Sequence, residues 1–530
     1  MTLRIHRRKL LLGAASAACV GTPLRAADAP AFASVPRSPH VGINLTGISY
    51  WTAEFPFADL MKNSAGWSAR NAKGGAPAGT LALGAHGYPA KLDAGQIAVT
   101  PVAWQDTRYA PGAWVVRWDG DGELAFPGVA APVVSRGPGR IVLDVRETRA
   151  AMHVAIVRTN PADPVRNLRF LWPGTEAAHP AQPFNPLFLE RIAPFSTLRF
   201  VDWGATNGSP VARWAERAQL DEVSWATPRG APLEIMLDLA NTLQAEPWLC
   251  IPHLADDDYI RQFAALVKAR LDPRLKATIE YSNEVWNTGF AQARWAMAES
   301  ARLGLPAAKA QPSAFYAERV SRISVLVDEV FGAAQRRRWS LVLAGQAAWT
   351  QFSRDALAWK DTATRVDALA IAPYFQAKAA ADPAQFEQSV RLSPDALIEQ
   401  MLGSIRGEVR ARLAENAKLA ERYRLPLVGY EGGPHDSSGY FPKDRQDAMV
   451  PVFEAAHKSP RMRAVYREYF DAWIAAGGGV LNQYNDIGRG SKWGFWGALE
   501  TVTQDPATAP KYLGLLDAIA AHPAAPSPAR

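Results

Sequence analysis

Eight short apolar runs, spaced along the chain and mostly followed by stretches of helical periodicity, constrain what this sequence can fold into more than any other feature. They fall at residues 41–48, 197–203, 247–251, 276–282, 339–344, 366–371, 426–430 and 479–483. Continuous apolar runs of this length suit strands buried on both faces rather than on one. Apolar residues at three- and four-residue spacing mark helices over 233–245, 257–270, 315–331, 394–423, 461–476 and 511–521. Strand and helix in alternation predict a parallel α/β fold, and eight strands are the number that closes a (β/α)8 TIM barrel. The competing arrangement is an open doubly wound sheet, but no Gly-x-Gly-x-x-Gly turn follows a first strand.

One interval breaks the rhythm. Between the first and second runs, residues 86–173 switch to period-two patterning with Gly and Pro turns, as in Ala113-Trp114-Val115-Val116-Arg117-Trp118 and Arg140-Ile141-Val142-Leu143-Asp144-Val145. This predicts a small antiparallel β-sandwich inserted between barrel strands 1 and 2. The barrel then occupies residues 30–85, with strand 1 and its loop, and residues 174–522, and an Ala/Pro-rich tail follows over 523–530. An insert in a βα loop lies on the C-terminal face of a barrel, where active sites form. Two readings of it stand: one wall of a cleft, or a stabilising spacer without a ligand.

The formal charge is +7, but the first 26 residues hold Arg4, Arg7, Arg8, Lys9 and Arg25 and no acid, which leaves +2 for the rest. Without a single-sign field, nucleic acid is not an expected partner. The basic start, the apolar run from Leu10 to Val20 and the small residues Ala26 and Ala27 read as an export signal over residues 1–29. His6-Arg7-Arg8-Lys9-Leu10-Leu11 resembles a twin-arginine signal, with a Sec signal as the alternative, and both lead to a periplasmic or secreted protein. No later stretch has the length of a membrane span. Cys19 lies in the signal and Cys250 in a predicted strand, so no intrachain disulfide is expected after cleavage. The nine histidines form no His-x-x-x-His pair, and neither a metal nor another cofactor is expected.

Chemistry concentrates at two strand tips. Ile279-Glu280-Tyr281-Ser282-Asn283-Glu284-Val285-Trp286-Asn287 runs from strand four into a carboxylate beside an amide and an indole. Leu427-Val428-Gly429-Tyr430-Glu431-Gly432-Gly433 ends strand seven in a carboxylate followed by two glycines that let a ligand or loop approach. In a barrel, groups at the C-terminal ends of different strands converge across the mouth, so Glu284 and Glu431 are expected to face each other. Two facing carboxyls are what glycoside cleavage requires: one protonates the departing oxygen, and the other attacks the anomeric carbon or activates water. The bland reading makes Glu284 a helix-start carboxylate and Glu431 one half of an ion pair.

Asn283-Glu284 at strand four with Glu431 at strand seven resembles the pattern of the clan A glycoside hydrolases, the retaining barrel enzymes of the 4/7 superfamily. The longer strings Tyr-Ser-Asn-Glu-Val-Trp-Asn and Tyr-Glu-Gly-Gly resemble bacterial exported proteins often labelled cellulose-binding. The resemblance implies Glu284 as acid/base, Glu431 as nucleophile, and Asn283 as hydrogen-bond partner of the sugar 2-hydroxyl. It also implies Arg199 and Tyr374 as supports of the nucleophile, and Trp493 or Trp496 as the indole floor of the sugar site. The substrate it implies is a β-linked oligo- or polysaccharide, and the alternative is a non-catalytic carbohydrate-binding protein of the cell envelope. From the residues alone, Arg199 also suits a core pair with Asp202, and Tyr374 a packed strand-end tyrosine.

Trp51, Trp203, Trp286, Trp349, Trp493 and Trp496 all follow predicted strands, some as stacking surfaces for sugars and some as core. His253, Asn44 and Gln346 at the ends of strands three, one and five are further candidate substrate contacts, and His435 lies four residues after Glu431. Asp256, Asp257 and Asp258 are expected to cap a helix rather than hold a metal.

Overall fold

The computed structural model describes residue 32 and residues 35–129, 131–306 and 311–524. The export signal read at residues 1–29 and most of the 523–530 tail lie outside the described residues. The chain enters at β1 (Val41–Asn44) and then leaves for eight antiparallel strands. These are β2 (Ser68–Asn71), β3 (Gln96–Ala103), β4 (Gly112–Asp119), β5 (Gly122–Ala125), β6 (Val133–Gly137), β7 (Arg140–Val145), β8 (Met152–Thr159) and β9 (Arg166–Leu171). It returns through β10 (Thr197–Arg199), β11 (Glu246–Ile251), β12 (Ala277–Tyr281), β13 (Trp339–Ala344), β14 (Ala368–Ile371), β15 (Leu427–Gly429) and β16 (Gly478–Gln483). Strands β1 and β10 to β16 form a closed parallel barrel, β16 pairing back onto β1 through Val41 and Leu481. Each of the eight apolar runs supplies one barrel strand.

Side-chain alternation explains why this barrel has room for a charged interior. Leu249 and Ile251, Ile279 and Tyr281, Leu341 and Leu343, Leu369 and Ile371 belong to the core between strands and helices. The intervening positions Trp248, Val342, Ala344, Ala368, Ala370 and Tyr430 form a separate, smaller cluster inside the barrel. Large aliphatics therefore face the helices, while inward positions are small, aromatic or polar, and period two divides them.

The insert is two four-stranded sheets, ordered β2-β3-β8-β5 and β6-β7-β4-β9. It starts earlier than the 86–173 interval: β2 pairs antiparallel with β3 from Ser68 opposite Val99. Ser-Ala-Arg-Asn carries no apolar alternation, so pattern alone misses it. The insert is fastened to the barrel at both of its ends. The backbone N–H groups of Met61 and Phe170 donate to Asp59 Oδ1 (3.0 and 2.9 Å), and Trp172 N–H donates to Ala58 O (2.7 Å). Phe55, Tyr109, Trp114, Phe170 and Trp172 interlock edge to face or tilted across the junction.

The expected helix over 394–423 is divided into Pro394–Ser404, a π turn at Ile405–Val409 and Arg410–Tyr423. Among the described residues, no helix is long and apolar enough to cross a membrane.

Candidate active site

At the tip of β12 the backbone turns sharply. Ser282 and Glu284 both take left-handed conformations (φ 57° and 44°), which side chains with a Cβ adopt only when the surroundings hold them there. Gln292, fully buried on the next helix (Ala291–Arg302), donates through Nε2 to Asn283 O (2.8 Å) and to Asn207 Oδ1 (2.6 Å). Asn283 Nδ2 donates to the same Asn207 oxygen (3.1 Å), so the tip is pinned from two sides.

Beneath it lies Arg199, with no exposed surface. Its Nη1 donates to Glu431 Oε1 (2.7 Å) and Asn44 Oδ1 (3.0 Å), and its Nη2 to Glu280 Oε2 (2.9 Å) and Asn283 Oδ1 (2.9 Å). Its Nε donates to Glu280 Oε2 (3.1 Å). All five guanidinium N–H groups are therefore used, which a fully desolvated cation requires. Glu280 also accepts from Trp248 Nε1 (2.7 Å). Burial pushes its pKa up, and Arg199 opposes the rise.

The two carboxyls at the mouth are treated differently. Glu431 accepts from Arg199 on one oxygen and from the Tyr374 hydroxyl on the other (2.9 Å). Glu284 accepts from Tyr430 OH on Oε1 (3.1 Å) and from Asn287 Nδ2 on Oε2 (3.0 Å), and no cation bonds to it. Burial first, and then the charge of Glu431, raise its pKa to about 7. The site thus places a glutamate bonded to a guanidinium beside one that has no cation and whose pKa is raised to about 7, an asymmetry suited to proton donation by Glu284.

Asp202 is the fourth acid of the site. Its Oδ2 accepts from Tyr484 OH (3.0 Å), and burial together with the charge of Glu431 raises its pKa to about 6. Tyr484 packs edge to face with Trp496 (5.6 Å between ring centroids), and His435 lies between Trp496 (6.3 Å) and Tyr374 (5.1 Å). Trp496 and His435 therefore reach this site, whereas Trp493 stands exposed on the rim.

Several expectations are corrected. Arg199 pairs with Glu280 and Glu431 and not with Asp202. Asn44 is fully buried and braces Arg199, its Nδ2 donating to Tyr430 O (3.1 Å), so it offers nothing to a substrate. Trp203 is core, fully buried against Phe57, Phe188 and Phe200. His253 is buried edge to face with Trp295 and makes no bond to either carboxyl. Trp286 and Gln346 are half-buried, and their Nε1 and Oε1 have no partner. Asp256 caps its helix as expected, Oδ1 accepting from Tyr259 N–H (2.7 Å).

Sequence reasoning named Tyr430, Asn287, Glu280 and Asp202 only as neighbours in motifs or pairs. A signal for Glu280 existed: in a barrel strand whose odd positions face helices, a glutamate at an even position faces the interior and requires a cation there.

No protein-family model matches the sequence, and no curated protein matches it. Solved structures are similar to parts of it at low identity. A family 51 α-L-arabinofuranosidase from Bifidobacterium longum is 11% identical, with 64% of this chain and 67% of that one covered and a TM-score of 0.40. A Clostridium thermocellum endo-1,4-β-D-xylanase, solved with xylohexaose, is 9% identical over 88% of this chain and 97% of its own, with a TM-score of 0.38. A broad-specificity endoglucanase from Ruminococcus flavefaciens is 12% identical over 68% and 91%, also at 0.38.

Proposed function

We propose that this protein is a glycoside hydrolase, and more particularly a retaining one that cleaves β-linked oligo- or polysaccharide. The observation that carries the reading is the unequal treatment of the two glutamates, Glu431 held between a guanidinium and a phenol while buried Glu284 is bonded only by the neutral Tyr430 and Asn287. In the first step a Glu431 oxygen bonds to the anomeric carbon as the bond to the leaving oxygen breaks, and Glu284 gives that oxygen its proton. In the second, Glu284 takes a proton from water, whose oxygen displaces Glu431 and regenerates both groups. The reaction needs neither a metal nor a cofactor.

Activity is expected to fall as pH rises through about 7, because Glu284 then loses the proton it must donate. The deciding experiment is hydrolysis of a panel of plant and envelope β-glycans by wild type, Glu284→Ala and Glu431→Ala, with NMR of the first-formed anomer. Product from wild type alone, in the β form, is the expected result. Product from Glu431→Ala at wild-type rates, or an α anomer, overturns the retaining reading.

The exposed indoles at the rim favour one second reading, an envelope carbohydrate-binding protein without catalysis. It is distinguished by binding to a glycan from which no reducing ends appear. Export through the arginine-bearing leader is part of the proposal, and the N-terminal sequence of protein from the periplasm or medium tests it.

A further inference from the structure

The described residues expose four large aromatic side chains: Trp51 (63%), Trp104 (44%), Tyr440 (60%) and Trp493 (63%). All four lie on the same part of the molecule. Tyr440 is on the loop after β15, Trp493 on the loop after β16 and Trp51 on the loop after β1, three consecutive positions around the closed barrel. Trp104 comes from the insert, in the first position after β3, and reaches this arc through direct bonds. Its backbone N–H donates to Tyr50 O (2.8 Å), and Arg489 Nη1, on the loop that carries Trp493, donates to Asp106 O (3.4 Å). Tyr50 meets Trp51 on one side (4.9 Å between centroids) and Trp104 on the other (5.8 Å), edge to face in both cases.

Three aromatic rings contributed by two parts of the chain are thus held in fixed relative orientation, with two indoles open to solvent. Large exposed apolar surface of this kind marks an interaction site. Its rigidity matters, because little conformational freedom remains to be lost when a ligand settles on it. Thr503 Oγ1 donates to Arg108 O (2.7 Å), a third tie between the Trp104 loop and the barrel, which further fixes the indole relative to the barrel.

We infer that Trp51, Tyr50 and Trp104 form a distal binding platform for a β-1,4-linked pyranose chain, so that the insert is a working wall of the cleft. The occupant follows from chemistry. Flat indole faces suit the C–H faces of equatorially substituted pyranose rings, and a polymer engaged at Glu284 and Glu431 that runs along the rim past β16 reaches the loop after β1. The inference rests on the proposed glycan-cleaving role of the site, and it makes that role one directed at chains rather than at single terminal sugars.

Native gel electrophoresis through hydroxyethylcellulose, glucomannan or xylan tests the platform without using hydrolysis as the readout. The probe is Glu284→Gln protein alone and with Trp51→Ala, Trp104→Ala or, as a control, Val134→Ala, exposed on β6 of the sandwich. The expected result is retardation of Glu284→Gln and of the Val134 control, with apparent affinity weakened about tenfold by either Trp→Ala change. Trp104→Phe, which keeps an aromatic face, should recover part of the loss. Unchanged retardation in the two Trp→Ala proteins overturns the platform, and so does the absence of retardation in every gel. Failure of the catalytic reading has a different signature: wild type is retarded, the tryptophan variants are not, and no reducing ends form.

Discussion

Arg199 is the residue on which the site turns. One guanidinium joins β1 through Asn44, β12 through Glu280, the β12 tip through Asn283 and the β15 tip through Glu431, and it lies over the Tyr430 ring at 5.0 Å. Removing one partner of a buried pair leaves the other charge uncompensated. Arg199→Met is therefore expected to destabilise the fold by about 3–5 kcal/mol. Adding Glu280→Gln should restore part of the loss, with a coupling above about 1 kcal/mol in a urea-denaturation cycle; strict additivity would show that the two do not act as a pair. Tyr430 gives a subtler test. Its hydroxyl donates to Glu284 and so favours the ionised form. Tyr430→Phe should raise the Glu284 pKa and move the basic limb of the kcat/KM profile to higher pH, and a shift to lower pH would contradict the assignment. Glu284 and Glu431 were legible in the sequence because each follows an apolar strand. Asn44 and Trp203 misled for the same reason: a strand end carries brace and core residues as readily as ligand contacts, and only their neighbours in space tell them apart.

At the scale of elements, the barrel strands could be read because burial on both faces leaves an unbroken apolar run. Strand β2 could not, since its pairing with β3 is a backbone matter to which Ser68, Ala69, Arg70 and Asn71 contribute no pattern. The helix Gln446–His457 escaped notice for another reason. Pro451 lies inside it, a residue that ordinarily ends a helix, and packing of Met449, Phe453 and His457 outweighs that local cost. The junction of insert and barrel depends heavily on Asp59, whose Oδ1 receives N–H groups from a short helical turn on one side and from β9 on the other. Asp59→Ala leaves both donors buried without an acceptor. A loss of about 2–4 kcal/mol is expected, with faster amide exchange at Met61 and Phe170 than in the barrel strands. Uniform acceleration across the barrel would show instead that the junction is not a local feature.

For the molecule as a whole, the site creates a pH dependence of stability opposite in sign to that of ordinary surface ion pairs. Glu284 and Asp202 have folded-state pKa values raised to about 7 and about 6, and Glu54, fully buried and close to Asp486, is raised well above its usual value. Between the unfolded carboxylate range and these values, the folded chain binds more protons than the unfolded one. The contribution of these groups is thus fully present at low pH and is lost as pH rises through the folded pKa values. The Glu284→Gln and Asp202→Asn variants should gain stability relative to wild type at pH 8 and little or none at pH 4, as measured by thermal melts at both values. An equal gain at both pH values would remove proton linkage as the cause.

The insert leaves the barrel and returns to it at nearly one point. Asp59 bridges antiparallel to Leu171, and the chain passes Ala58 and Trp172 side by side. Topologically the barrel experiences the whole sandwich as little more than a tight turn, since the ends to be joined already touch and the entropy of closing the intervening loop is met within the sandwich itself. Such a joint permits exchange. A different module with its two termini equally close meets the same closure requirement, so the register of the eight strands does not depend on what the joint carries.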